Sequence, residues 1–170
     1  PVARFGVISG MIETADNLAR DYQITREASD EYAAASHQRA AAASKAGKFD
    51  NELVPVSVAQ KKGDPIVFRK DEGVREDATA QSLSTLRPIE KNGVVTAGNA
   101  SQQNDAAAAC LVVAEDKLEE LGLEPMGWFV GWAAAGCEPS RMGIGPVPAV
   151  KRLFERTGLS WKDIDLVELN

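Results

Sequence analysis

The chain has 170 residues, is 44% apolar and carries a net charge of −6. It is long enough to bury a core. Its acidity excludes a basic nucleic-acid grip, and no apolar run approaches the roughly 20 residues of a membrane-spanning helix. Two cysteines and one histidine exclude a disulfide framework and a metal-ligand cluster. The start, Pro1 to Gly10, is an irregular lead-in without the pattern of a secretory leader, so a reducing cytoplasm is the expected compartment. A start other than methionine and an end inside an apolar run lead us to expect a piece of a longer protein.

Glu13 to Tyr22 reads as a helix, with Glu13 and Asp16 in its first turn and Leu18 and Tyr22 on one face. Thr25 is a suitable cap for an alanine-rich helix that runs to about Ala46 and stops at Gly47. Ala28, Tyr32, Ala35 and Ala42 form its expected apolar stripe. Leu53 to Val58, with Pro55, reads as an edge strand, and Ile66 to Phe68 as a second strand after a Lys62-Gly63-Asp64 turn. Lys70 to Asp77 is a charged loop. Thr79 caps a short helix through Leu86, stopped by Pro88. Further on, Ala106 to Val113 reads as a buried strand, with its alanine content leaving a helix open, and Glu115 to Leu121 as a helix ended by Gly122. Pro125 to Ala135 reads as a strand from the period-two spacing of Trp128, Val130 and Trp132. A helix from Pro148 to Thr157 turns Ala149, Val150, Leu153 and Phe154 to one side. Ile164 to Leu169 closes as a strand. Alternating strands and helices in the second half imply an α/β sheet.

Gly93 to Asp105 stands out. A short β-branched run, Val94 to Thr96, gives way to small and amide residues from Ala97 to Asn104. Few side chains there keep a partner from the backbone, and the amides and hydroxyl offer uncharged donors and acceptors. A binding loop on a rigid base reads this way, and so does a plain turn feeding a core strand.

The wording Thr-Ala-Gly-Asn-Ala-Ser, then Asn-Asp, then a small-residue run, resembles the thiolases. These acyl-CoA acyltransferases make or break a 3-ketoacyl-CoA. The resemblance extends through Met11 to Asn17, Ser36 to Ala40, Leu86-Arg87-Pro88, Met142 to Pro146 and Leu166 to Asn170. It implies an α/β fold: part of the thiolase-like layered α/β/α core, with an inserted, mainly helical loop domain. Residues 1–87 would be most of that loop domain, 88–122 the end of the N-terminal half, and 123–170 the start of the C-terminal half. A ketosynthase-type condensing enzyme fits less well, because the long helical insert and the final asparagine both match thiolases.

The resemblance also implies a chemistry. A cysteine thiolate becomes acylated, a second cysteine moves a proton, and preorganised donors hold the thioester oxygens. Both cysteines and the catalytic histidine of the family fall outside these 170 residues, so the piece alone is expected to be inactive. A non-catalytic homologue that binds coenzyme A or a partner subunit is the alternative. Asn170 matches the asparagine that holds a catalytic water. Ser101 matches the serine that bonds the pantetheine amide, and Ala97 and Gly98 match small residues beside it. Arg75 matches a position near the adenine nucleotide. Ser82 and Leu86 match the lining of the same groove, and Met11 and Met142 match methionines at the acyl end. Coenzyme A thioester is then the substrate, with no metal and no prosthetic group. A homodimer or homotetramer is implied as well. Gln102 and Ala106 stand where the family loop has glycines, so Gln102 is expected to narrow or re-aim the loop. Gly10 replaces a histidine common in short-chain members, which points to a roomier acyl pocket. Cys110 and Cys137 read as packing residues, and His37 as a surface helix residue.

Overall fold

The structure is a computed structural model that describes residues 9–169. It divides into two units. One spans Gly10–Gln102. The other holds the described residues from Gln103 onward, with Ser9.

The first unit is built on two helices. Helix α1 is Met11–Asp21 and α2 is Arg26–Lys45. The Thr25 hydroxyl accepts the Ala28 N–H at 3.1 Å and so caps α2. Own-backbone and Thr25 hydrogen bonds to Glu27, helped by Arg26, hold its carboxyl below the usual glutamate range. Gly47, at φ +67°, follows the last turn in the left-handed conformation that ends a helix with least strain. Strands β1, Val56–Val58, and β2, Ile66–Phe68, form an antiparallel pair in which Val56 faces Phe68. Helix α3, Ala80–Ser84, is held by a capping box between Thr79 and Ser82 and packs on α2.

The buried stripe of α2 is not the expected one. Asp30, Ala34 and Ala41 are buried, whereas Ala28 and Ala42 are exposed and Tyr32 lies 75% exposed. Both stripes keep helical spacing. Polar bonds to other segments through Asp30 decide which face turns inward. On α1, the buried residues are Thr14 and Ala19, and Tyr22 is exposed. The helix starts two residues earlier than expected, so Asp16 lies past its first turn and serves a different purpose, described below.

The second unit has a short helical turn, Glu115–Lys117, running into α4, Leu118–Leu121, which Gly122 ends at φ +62°. A kinked 3-10 segment, Pro139–Ile144, precedes α5, Pro146–Thr157. Arg152 and Arg156 on α5 donate to the carbonyls of Ala134 and Trp132. Gly158, at φ +75°, ends α5, and the 3-10 turn Trp161–Asp163 sets the Trp161 ring edge-on to Phe154 at 5.1 Å.

Three expected strands do not form among the described residues. Ala106 to Val113, Pro125 to Ala135 and Ile164 to Leu169 are without ladder bonds. Leu111, Val112, Trp128, Val130 and Leu166 are exposed. A strand exists by pairing, and apolar alternation supplies only the faces, not the neighbour. Cys110 and Cys137 are exposed rather than packed as expected. Among the described residues, no helix is long and apolar enough to cross a membrane.

Candidate functional site

The central loop is fixed from several sides. Thr96 is fully buried. Its N–H donates to Asn99 Oδ1 at 2.7 Å, its hydroxyl accepts the Gly98 N–H at 3.1 Å, and its carbonyl accepts the Ala100 N–H at 3.1 Å. The turn therefore closes on itself. Asp16 of α1 holds the entry to it. One carboxylate oxygen accepts the N–H groups of Val94 at 2.8 Å and Val95 at 3.2 Å. The other oxygen lies against Gly93, where no Cβ could fit.

Helix α2 acts as a rack for the segments around this loop. Arg26, Asp30, Ala34, His37, Ala41 and Lys45 recur at three- and four-residue intervals and so share a face. Arg26 donates to the carbonyls of Leu83 at 2.7 Å and Leu86 at 2.9 Å. Asp30 accepts from Asn99 Nδ2 at 3.0 Å. His37 Nδ1 accepts the Arg75 N–H at 3.2 Å. Lys45 pairs with Glu76 at 2.7 Å, and that bond is the main cause holding the Glu76 carboxyl below the usual glutamate range. His37 is thus a half-buried loop anchor rather than a plain surface residue.

The residues proposed from sequence fall into three groups. Ser82, Leu86, Ala97, Gly98 and Ser101 lie on α3, its C-terminal end and the loop beside it. Gly98 is buried, and a Cβ added there would lie 2.6 Å from a Leu86 methyl and 2.7 Å from a Leu83 methyl. Leucine packing therefore already accounts for the small residue at this position. Ala97 and Ser101 are the open members of the loop. Arg75 is exposed and joins this group through Gln102, whose side-chain amide donates to the Gly73 carbonyl at 3.0 Å. Gln102 is thus a tether between the loop end and the Arg75 segment. Met11 opens α1 and is 69% exposed. Met142 belongs to the second unit, in the 3-10 segment. Asn170 lies outside the described residues.

Sequence reasoning did not single out Arg26, Asp16, Asp30 or Asn99 as a set. The available signal was an acidic residue at an otherwise alanine-lined helical position. An aspartate one turn before Ala34 and in register with Ala34 and Ala41 needs a partner if it faces inward.

The family profile "Thiolase, N-terminal domain" matches residues 6–116, and "Thiolase, C-terminal domain" matches residues 123–170. The chain belongs to the thiolase family. An acetyl-CoA acetyltransferase of Cupriavidus necator is 52% identical over 158 residues, which is 92% of this chain and 40% of that protein. A probable acetyl-CoA acyltransferase of Staphylococcus aureus is 51% identical over the same shares. The crystal structure of the Bacillus anthracis acetyl-CoA acetyltransferase superposes with TM-score 0.89 at 44% identity, covering 95% of this chain and 41% of that one. Human mitochondrial 3-ketoacyl-CoA thiolase gives TM-score 0.86 at 43% identity, covering 92% and 40%. The chain thus spans about two fifths of the length of the relatives it matches. The expected thiolase-type α/β fold holds as a part of that fold, with mostly helices and a small sheet among the described residues.

Proposed function

We propose that this chain is the coenzyme A-binding part of a thiolase. The whole enzyme would carry out Claisen condensation or thiolytic cleavage of a 3-ketoacyl-CoA through an acyl-cysteine, and that cysteine lies outside these residues. One observation carries the reading. The Thr96 to Ser101 turn is rigid from within, yet leaves Ala97 and Ser101 open. A pantetheine arm can lie along Ala97 and bond the Ser101 hydroxyl without any loop rearrangement. Arg75, tethered through Gln102 and Gly73, supplies a cation for the nucleotide end. Met11 and Met142 are the candidates for the acyl end. Asn170 is the candidate holder of the catalytic water.

The same reading takes 1–87 as loop domain, 88–122 as the end of the first half and 123–170 as the start of the second. It takes coenzyme A thioester as substrate, without a prosthetic group, in a cytoplasmic homodimer or homotetramer serving lipid metabolism.

The test is calorimetry of coenzyme A against this chain. We expect binding, no turnover, and roughly fivefold weaker binding on Ser101→Ala, the loss of about one hydrogen bond. An unaltered affinity in that variant, or a crystal showing the arm away from Ala97 to Ser101, would overturn the assignment.

A further inference from the structure

A buried aspartate in a helix lined by alanines needs an explanation. Asp30 is only 1% exposed, while its neighbours on the same face are Ala34 and Ala41. Burying a carboxylate is costly, and replacing a buried ion pair by well-packed apolar residues is often neutral or better for stability. What alanine cannot do is accept hydrogen bonds in two directions. Asp30 Oδ2 accepts from Arg26 Nε at 2.7 Å, and Oδ1 accepts from Asn99 Nδ2 at 3.0 Å.

Each bond passes onward. Arg26 also donates to the carbonyls of Leu83, in the last turn of α3, and Leu86, just past it. Asn99 uses both amide hydrogens, on Asp30 and on the Val94 carbonyl at 2.9 Å, and its oxygen takes the Thr96 N–H. With both N–H groups and the oxygen engaged, the Asn99 amide cannot flip without losing three bonds. Two separate segments, Leu83 to Leu86 and Thr96 to Ser101, are therefore referred to a single carboxylate.

We propose that Asp30 is a positioning residue for the coenzyme A loop. Through Asn99 it sets the backbone that presents Ala97 and Ser101, and through Arg26 it fixes that loop relative to the Ser82 and Leu86 end of α3. This rests on the functional reading above for the identity of the ligand. The anchoring itself rests on the bonds just described.

The test uses this chain, coenzyme A as the probe, and amide exchange followed residue by residue. Asn99→Asp sets a carboxylate against Asp30. It should weaken coenzyme A binding at least tenfold and speed exchange of the Thr96 and Gly98 amides at least tenfold, while amides from Ala34 to Lys45 stay unchanged. Adding Asp30→Asn to that variant should recover part of both effects, because the amide now on α2 can donate to the carboxylate now on the loop. A purely structural lesion would not show that recovery. Should Asn99→Asp fail to fold, Asp30→Asn alone keeps shape and volume and should still weaken binding threefold or more, with the same local exchange pattern. Unchanged loop amides in Asp30→Asn, exchange rising equally along the chain, or faster loop exchange at unchanged affinity would each overturn the proposal. Failure of the unaltered chain to bind coenzyme A would sink the functional reading instead, and the exchange pattern would still decide the anchoring.

Discussion

The unit of Gly10–Gln102 and the described residues from Gln103 onward are organised by different means. Every described residue that is buried lies in the first. Its segments are tied across long stretches of chain by side chains that grip backbone, as Asp16 grips Val94 and Arg26 grips Leu86. In the second, the helical pieces are ended by local rules, Arg152 and Arg156 grip the Ala134 and Trp132 carbonyls, and the apolar runs have no ladder, with no described residue buried. The contrast separates two kinds of information. Caps, glycine stops and helical periodicity act within a few residues and form wherever the sequence contains them. Strands depend on a neighbour.

The strongest way to probe that contrast is Leu83→Ala. Leu83 is 4% exposed and stands between α2 and the loop, where its methyl approaches Gly98. Its loss should cost roughly 2–5 kcal/mol, the range for emptying a packed leucine site. Both tyrosines, Tyr22 and Tyr32, lie in the first unit, and all three tryptophans, Trp128, Trp132 and Trp161, in the second. Urea unfolding can therefore follow each separately. The tyrosine and far-ultraviolet midpoints should fall. An equal fall in the tryptophan curve would show one cooperative unit and break the comparison.

Gly98→Ala comes next. The added carbon meets the ends of two leucine side chains rather than backbone, so the leucines can give way in part. We expect roughly 1–3 kcal/mol of destabilisation, the cost of overpacking by one methyl. Urea midpoints again provide the measurement. A loss of less than a few tenths would mean that the leucines are loosely held and that the loop does not lean on α3.

Much of this was legible in the residues. Thr25, Thr79, Gly47 and Gly122 marked helix ends because caps and left-handed turns depend on single residue types. The strand pair was legible because the Lys62-Gly63-Asp64 turn lies between two strands that are each other's partner, though of the expected Leu53 to Val58 only Val56–Val58 pairs. The family wording pointed to the loop at Ala97 to Ser101. The buried face of α2 was not legible. A stripe of alanines fits several rotations, and the deciding contacts come from Asn99, sixty-nine residues away in sequence. The failed strands at Ala106, Pro125 and Ile164 share one cause: an apolar run or a period-two face marks a segment suited to pairing and cannot report what lies beside it.

Acid titration sharpens the comparison most gently, read at the Asp163 cap in the second unit. The Asp163 carboxylate accepts the Ser160 hydroxyl at 2.7 Å and the Ser160 N–H at 2.8 Å. Those two bonds favour the charged form and hold the carboxyl below the usual aspartate range. Since the folded value is lowered, the cap contributes fully at pH above the unfolded aspartate value. Its contribution fades as pH falls through the folded value. Carboxyl carbon shifts followed by NMR should show Asp163 titrating below an ordinary aspartate. Ser160→Ala should bring it part of the way back, because the N–H bond remains. The indole signal of Trp161, set against Phe154 by this turn, should move over the same acid range while Trp128 stays still. If Trp128 moved with it, the turn would belong to a larger cooperative structure rather than stand as a local cap.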